Sequence, residues 1–335
     1  MSTSGTTDRP TVLVTGGAGY VGSHVCKALA RAGITPVTLD NLATGHRWAV
    51  QWGPLEIGDV RDSDMVESML RRYRATAVLH FAALSLVGAS AKQPLDYYDV
   101  NVNGGLSIAL AMRGVGLRKL VFSSTCAVYG MPPSMPITED APTLPVNVYG
   151  RTKLAAENLF SDLARAGEID VVLLRYFNAA GADRDGEIGE AHEPESHLIP
   201  LAIRAALDAG PPLSVFGTDY ATPDGTCLRD YIHVEDLAEA HLKALKLVDG
   251  KPGVHAFNLG TGIGVSVREV LGAVERLSGK PVPTAVAPRR EGDAPELYAS
   301  PEKAQRELGW TAAATGIDAM VGSALNWHRK YQKAA

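Results

Sequence analysis

The chain has 335 residues, enough for one large domain or two modest ones. Hydrophobic residues make up 46%, so a sizeable core can form and wholesale disorder is excluded. A formal net charge of -5, without a run of Lys and Arg, speaks against a nucleic-acid binder.

Cys26, Cys126 and Cys227 are odd in number, widely spaced and form no CxxC pair. They signal neither a disulfide framework nor a zinc site, and no metal is predicted. Free thiols fit a reducing compartment, so the cytoplasm is expected. No stretch of about 18 uninterrupted apolar residues occurs, and no membrane span is predicted. Met1 to Pro10 is polar and reads as a loose tail, not a signal peptide.

Taken in chain order, Thr11–Thr15 is a buried strand, Tyr20–Ala32 a helix with Gly33 suited to its C-cap, and Thr35–Leu39 a second strand. Leu55–Ile57, Ala77–Phe81, Lys119–Ser123 and Val171–Arg175 continue the series. Helical patterns lie between them near 62–73, 94–113 and 149–166. Continuous apolar strands alternating with helices predict a doubly wound, Rossmann-type parallel sheet covered on both faces. Beyond about residue 178 Gly and Pro become frequent and the elements shorten. Val234–Leu247 (helix) and His255–Leu259 (strand) look like returns to the first domain, and Ser266–Glu269 is a capping box opening another helix. The expected division is therefore 1–178 plus about 234–260 for the sheet domain. A smaller α/β substrate domain, interleaved with it, takes 179–233 and 261–335.

The first strand runs straight into Gly16-Gly-Ala-Gly19-Tyr20-Val21-Gly22. Glycines at 16, 19 and 22 permit a tight turn, a close approach to a pyrophosphate and packing of the next helix, whose N-terminus offers free N–H groups. The spacing is GxxGxxG and not the commoner GxGxxG. A purely structural turn is the alternative, but the preceding strand, the following helix and an acid ending the next strand agree on a dinucleotide. That acid, Asp40, is placed to accept from both ribose hydroxyls and repels a 2′-phosphate, so NAD is expected over NADP. Asn41 follows it. Asp59-Val60 would meet the adenine, and Phe81-Ala82-Ala83 would line the pyrophosphate and nicotinamide ribose.

Tyr149 and Lys153 stand four apart at the start of a helix and share a face. An ammonium beside a phenol favours the phenolate, so Lys153 is expected to lower the Tyr149 pKa and let it act as a base. A surface pair is the alternative for an isolated YxxxK. Upstream, Phe122-Ser-Ser-Thr-Cys-Ala-Val-Tyr129-Gly130 sets the hydroxyls of Ser123, Ser124 and Thr125 at the carboxyl edge of the sheet, where open α/β folds bind ligands. Thr125 is chosen to hydrogen-bond the reacting oxygen; a strand-end cap is its other reading.

Together these residues resemble the extended short-chain dehydrogenase/reductase superfamily. Within it the chain is similar to the UDP-glucose 4-epimerase family from about residue 11 to 331. The more specific matches are Leu174-Arg-Tyr-Phe-Asn178, Val215-Phe-Gly-Thr-Asp-Tyr220, Arg229-Asp-Tyr-Ile-His233 and Pro288-Arg-Arg-Glu-Gly-Asp293. The resemblance implies NAD, a UDP-hexose substrate and a homodimer through helices near 94–113 and 149–166. It implies Tyr149 as general base, Lys153 as its electrostatic partner and Thr125 as the reacting-site hydroxyl. Ser123, Tyr176 and Phe177 would border the cofactor, and Asn178, His197 and Leu198 the substrate phosphates or sugar. Phe216 and Tyr231 would flank the uridine, Arg229 and Arg290 would grip the diphosphate, and Asp293 would hold the uridine ribose. Three positions depart from the family pattern: Ser85 replaces a Lys near the cofactor ribose, His197 an Asn, and Leu297 a Tyr that narrows the sugar pocket in some members. Leu297 leaves room for a 2-acetamido sugar.

Two rivals share the fold. A 4,6-dehydratase needs Asp-Glu after the Thr of the fifth strand, where this chain has Cys126 and Ala127. A dehydrogenase that releases its cofactor is the second. From another class, a non-catalytic NAD-sensing regulator would typically lack the Tyr and Lys present here.

Overall fold

The computed structural model describes residues 9–290 and 292–334. The polar tail up to residue 8, and Glu291 within the Pro288–Asp293 motif, lie outside the described residues. The chain opens with β1 (Thr11–Thr15), α1 (Tyr20–Arg31), β2 (Thr35–Asp40), β3 (Leu55–Ile57), α2 (Ser63–Arg72) and β4 (Ala77–His80). Next come α3 (Val87–Ser90), α4 (Pro94–Tyr98), α5 (Gly104–Val115), β5 (Lys119–Thr125), α6 (Val148–Arg165) and β6 (Asp170–Tyr176).

The second half is more broken. It holds β7 (Asn178–Ala180), α7 (Leu198–Ala206), β8 (Leu213–Phe216), β9 (Leu228–Arg229), β10 (Tyr231–His233), α8 (Val234–Gly250) and β11 (Val254–Leu259). β12 (Val265–Ser266), α9 (Val267–Ser278), β13 (Thr284–Ala287), β14 (Glu296–Leu297) and α10 (Ile317–Ala334) complete it.

One seven-stranded parallel sheet runs in the order β11-β6-β5-β4-β1-β2-β3. Strand order reverses between β1 and β4, which opens a crevice at the carboxyl ends of those strands. Successive residues serve opposite faces. Val12 and Val14 join Val25, Leu29, Leu237 and Leu245 of α1 and α8 on one side. Leu13, between them, joins Val66, Ile108, Met112 and Phe160 of α2, α5 and α6 on the other. Both faces being covered explains why these strands read as unbroken apolar runs. The remaining strands form small pairs: β10 with β7, β13 with β8, and β12-β9-β14. A separate apolar cluster, including Ile203, Val270, Val274 and Val321, holds α7, α9 and α10 together.

Local signals account for several boundaries. Gly33, at φ +79°, follows the last residue of the α1 cap and reverses the chain. At α9 the Ser266 Oγ accepts from the Glu269 N–H at 3.0 Å, and the Glu269 carboxylate accepts from the Ser266 N–H at 2.7 Å. The helical stretch expected near 94–113 is present, with a break in its α-type hydrogen bonding. Residues 99–103 form a π-type turn between α4 and α5. The side chain of Asn101 in that turn is buried and fully used by Leu84 and Thr152, which a regular helix would not aim so well. Among the described residues, no helix is long and apolar enough to cross a membrane.

Candidate active site

The glycine turn sits at the β1/β4 crevice. A Cβ on Gly16, whose φ is +72°, would lie 2.6 Å from the Ala82 nitrogen, so only glycine lets the turn close on the end of β4. A Cβ on Gly19 would meet just one atom, the Gly16 oxygen at 3.3 Å, which leaves that side of the turn open. Gly19 is the N-cap of α1, with no side-chain cap and no acidic residue in the first turn. Uncapped N–H groups with no competing carboxylate suit an anion. Tyr20 turns its hydroxyl away to donate to the Gly181 carbonyl at 2.6 Å, and Val21 packs beside the core.

Asp40 ends β2 next to this turn. Its carboxylate accepts from the Ala18 N–H at 3.0 Å and the Leu42 N–H at 2.9 Å, while burial pushes its pKa up. Asn41 reaches Asp59 at 3.5 Å, and Arg61 holds the Asp59 carboxyl down at about 2. Val60 is buried against Gly104. Phe81 stacks on His241 with ring centroids 4.7 Å apart, Ala82 and Ala83 continue from it, and Ser85 is exposed.

At the carboxyl end of β5, the Thr125 hydroxyl accepts from the Ala127 N–H at 3.1 Å. The same hydroxyl neighbours the Tyr149 phenol and favours its ionised form. Gly150 makes this approach possible: a Cβ there would sit 2.5 Å from the Ala127 carbonyl oxygen. Asn147 caps α6 by accepting from the Gly150 N–H at 2.7 Å, which fixes the helix start. The Lys153 ammonium, one turn on, donates to the Ser123 carbonyl at 2.8 Å and lies 4.8 Å over the Phe122 ring. Ser123 Oγ and the Tyr176 hydroxyl are 2.5 Å apart. Phe177 is buried in a cluster with Val128 and Tyr129.

The protein's own groups run against the expectation that Lys153, with the positive nicotinamide pushing the same way, would lower the phenol. Burial, then Tyr176, pushes the Tyr149 pKa well up, and the Thr125 hydrogen bond opposes them. Burial also lowers Lys153 to about 7, with Glu157 pulling the other way. The reason is desolvation, which penalises the phenolate and the ammonium alike.

A polar network beneath the site escaped the motif reading. The Arg175 guanidinium binds both Glu157 oxygens at 2.6–3.2 Å. It also donates to the Tyr129 hydroxyl at 2.9 Å, which donates to the Asn258 side-chain oxygen at 2.7 Å. Ser124 donates to Glu157, and Asn101 donates to Thr152 on α6 at 2.9 Å. Periodicity carried a trace of this: Glu157 follows Lys153 by four residues, on the same helix face.

The opposite wall comes from short strands and loops. Arg229 donates to the Ala294 carbonyl at 2.8 Å and faces Asp293 at 3.4 Å. Arg290 stacks on Phe216 at 3.9 Å. Asn178 and buried Tyr231 are register partners in β7 and β10. Leu297 is the partner of Arg229 and packs with Phe177 and Cys126. His197 caps the start of α7 before Leu198. Burial works against its charge, yet Glu190 and Glu195 raise its pKa to about 10.

Comparison with known proteins agrees with this geometry. The NAD dependent epimerase/dehydratase family matches residues 12–260. A UDP-glucose 4-epimerase of Rhizobium leguminosarum bv. trifolii is 50% identical over 321 residues, 96% of this chain and 98% of its own. The crystal structure of a UDP-glucose 4-epimerase from Brucella ovis in complex with NAD superposes with TM-score 0.92 at 47% identity, covering 95% of this chain and 98% of that one. One from Stenotrophomonas maltophila, with bound NAD and formylated UDP-arabinopyranose, gives TM-score 0.94 at 40% identity over 98% of this chain and all of its own. Sequence and fold thus converge, and the chain belongs to the NAD-dependent epimerase/dehydratase family, in its UDP-glucose 4-epimerase branch.

Proposed function

We propose that this chain interconverts UDP-glucose and UDP-galactose at C4 of the sugar with a resident NAD. The observation that carries this reading is the clustering of Thr125, Tyr149 and buried Lys153, one turn on, at the carboxyl edge of β5. The turn fits a dinucleotide: Gly19 is open, the α1 N-terminus is uncapped, and the Asp40 carboxylate stands at the adjoining strand end. When bound there, NAD supplies a hydride acceptor and donor for C4.

The protein's own residues manage the proton and the pose. Tyr149 takes the 4-hydroxyl proton as a phenolate, whose negative charge Thr125 stabilises by donating to its oxygen before the transfer. Lys153 supplies positive charge to the same oxygen from a dry setting, where Coulomb effects are strong. Arg229, Arg290 and Asn178 hold the diphosphate, Phe216 and Tyr231 the uracil, and Asp293 the ribose. A firm grip on the nucleotide leaves the 4-keto hexose free to turn about its phosphate linkage. Tyr149 then returns the proton to the oxygen on the other face, and configuration inverts. Binding energy from the remote nucleotide positions the reacting carbon.

Leu297 supports a second reading in which UDP-N-acetylglucosamine is also accepted. It lies beside Cys126 and Phe177, and it lacks the ring and hydroxyl of a tyrosine. For assembly, a homodimer is supported by Leu95 at 83% exposure and by Tyr98, Leu106 and Leu110 on the same stretch. Three free cysteines support the cytoplasm.

The test is conversion of UDP-galactose by purified protein without added NAD. UDP-glucose should appear. Absence of conversion even with added NAD would overturn the reading, and a 4-keto-6-deoxy product would indicate the dehydratase. Leu297→Tyr should cut turnover of the acetamido sugar about 10-fold or more relative to UDP-glucose.

A further inference from the structure

The segment Glu190-x-His192-x-x-Glu195-x-His197 brings two carboxylates and two imidazoles to one point. One donor atom from each lies within 4.8 Å of all the others. Glu190 Oε1 is 3.0 Å from His192 Nδ1 and 2.8 Å from His197 Nδ1, and His197 Nδ1 is 3.0 Å from Glu195 Oε1. We propose that these four residues form a binding site for one divalent transition-metal ion, zinc by its chemistry.

The first argument is charge. The Glu190 and Glu195 side chains are 6% and 1% exposed. Buried carboxylates need a cation. The ion pairs of Glu190 and Glu195 among the described residues are to these two histidines. Two imidazolium rings, with centroids 5.0 Å apart, would have to supply both charges. One dication would neutralise both carboxylates and leave the rings neutral, the form in which imidazole ligates.

The second argument is independent of the cluster's internal bonds. Glu195 Oε2 is buried and has no hydrogen-bond partner. A carboxylate oxygen in that state is costly unless something absent from the protein engages it. A bidentate contact to a metal would.

The neighbouring acidic cluster makes an informative control. Asp183, Asp185 and Glu187 also converge, but Lys27 Nζ sits among them at 2.5–2.9 Å. Lys27 supplies the cation of that cluster; among the described residues no Lys or Arg is ion-paired with Glu190 or Glu195. The scaffold of the 190–197 segment is already fixed. The Trp327 indole donates to the Glu190 carbonyl at 3.1 Å, and His46 Nε2 meets the Ala191 carbonyl at 2.6 Å. His197, with its side chain 48% exposed, gives an ion a way in.

Ligand type selects the ion. Two imidazoles with two carboxylates suit zinc and its first-row neighbours over calcium or magnesium. Bonds of about 2.0–2.2 Å put tetrahedral donors roughly 3.3–3.6 Å apart, so the observed separations need small adjustments. A closed four-ligand site is structural, and here it would tie the segment leading into α7 to the wall beside Tyr20, whose ring meets His192 edge-on at 6.2 Å.

The experiment strips the full-length protein with EDTA, dialyses it against zinc chloride and measures metal by mass spectrometry. Wild type should hold about one zinc per chain. His192→Ala and the isosteric Glu195→Gln should each bind zinc about 10–100-fold more weakly. Cobalt(II) loading should give the intense visible bands of a tetrahedral site in wild type, whatever the folding of the variants. A wild type without stoichiometric zinc, the weak bands of octahedral cobalt, or unchanged affinity in both variants would overturn the proposal. None of these readouts depends on turnover, so the result stands apart from the catalytic reading.

Discussion

The two walls of the crevice are built differently. The catalytic wall is made of long strands and one long helix, β5, β6 and α6, over a buried polar network in which Arg175, Glu157, Tyr129 and Asn258 satisfy one another. The substrate wall is made of strands of two to four residues and the loops between them, β8, β9, β10 and β14. Its Arg229 is tied to backbone carbonyls at 2.8 Å and approaches the Asp293 carboxylate only at 3.4 Å. Proton transfer tolerates errors of a few tenths of an ångström, whereas a nucleotide grip can close on its ligand. The stiffer material sits where the chemistry demands it.

This contrast can be broken at either wall. The largest expected effect is on turnover: Tyr149→Phe should lower kcat about 10²–10⁴-fold while UDP affinity, measured by calorimetry, stays within about twofold. Near-normal kcat would remove Tyr149 from its role. The next effect is on stability. Glu157→Gln leaves the Arg175 guanidinium buried without its forked partner and should cost about 3–5 kcal/mol in urea unfolding. A loss below about 1 kcal/mol would mean the foundation is not rigid in the sense argued. On the substrate wall, Arg229→Met should raise KM about 10–100-fold and leave kcat within about threefold; a kcat defect instead would erase the distinction between the walls.

The smallest expected effect is a pH dependence. Burial lowers His24 to about 4 and His80 to about 3. Both histidines belong to the sheet domain and are 3% and 1% exposed. Below the ordinary histidine pKa the unfolded chain takes up protons that the folded chain refuses. Their contribution is therefore complete above about pH 6.5 and fades as pH falls toward 4 and 3. Unfolding at pH 5 should show about 1–2 kcal/mol less stability per histidine than at pH 7, and His24→Gln should flatten the slope. A flat profile in wild type would show that these rings are not held neutral.

Much of the catalytic wall was legible in the sequence, for a physical reason. Strands covered on both faces must be apolar throughout, so Val12–Val14 and Val171–Leu174 stand out unaided. Gly22 is demanded by the backbone of Gly16 and Gly17, a few residues away, and Gly16 by its positive φ, and such local needs leave local marks. The break at 99–103 left no such mark, because Asn101 is placed by Leu84 and Thr152, both distant in sequence. The upward shift of Tyr149 was hidden for a similar reason: it comes from tertiary burial, which a YxxxK spacing does not encode. The two-residue strands β9, β12 and β14 are too short to carry any period. The enclosure of the Glu195 side chain is likewise a tertiary effect that leaves no mark in the local sequence.

The edge strand β11 has one more consequence. It pairs with β6 in parallel, Leu174 against Phe257 and Asn258 against Arg175. The substrate-wall strands β8, β9 and β10 are inserted between these two neighbours, and β14 follows them. A newly made chain therefore reaches β6 with that edge still open, and must produce about 80 further residues before its partner arrives. The entropic cost of closing so long an excursion grows only slowly with its length, about 0.6 kcal/mol per doubling. The delay is the greater burden, because an uncovered edge is a template for wrong pairing. The same late strand brings Asn258 to Tyr129, so the last step of sheet assembly is also the step that completes the foundation of the catalytic wall.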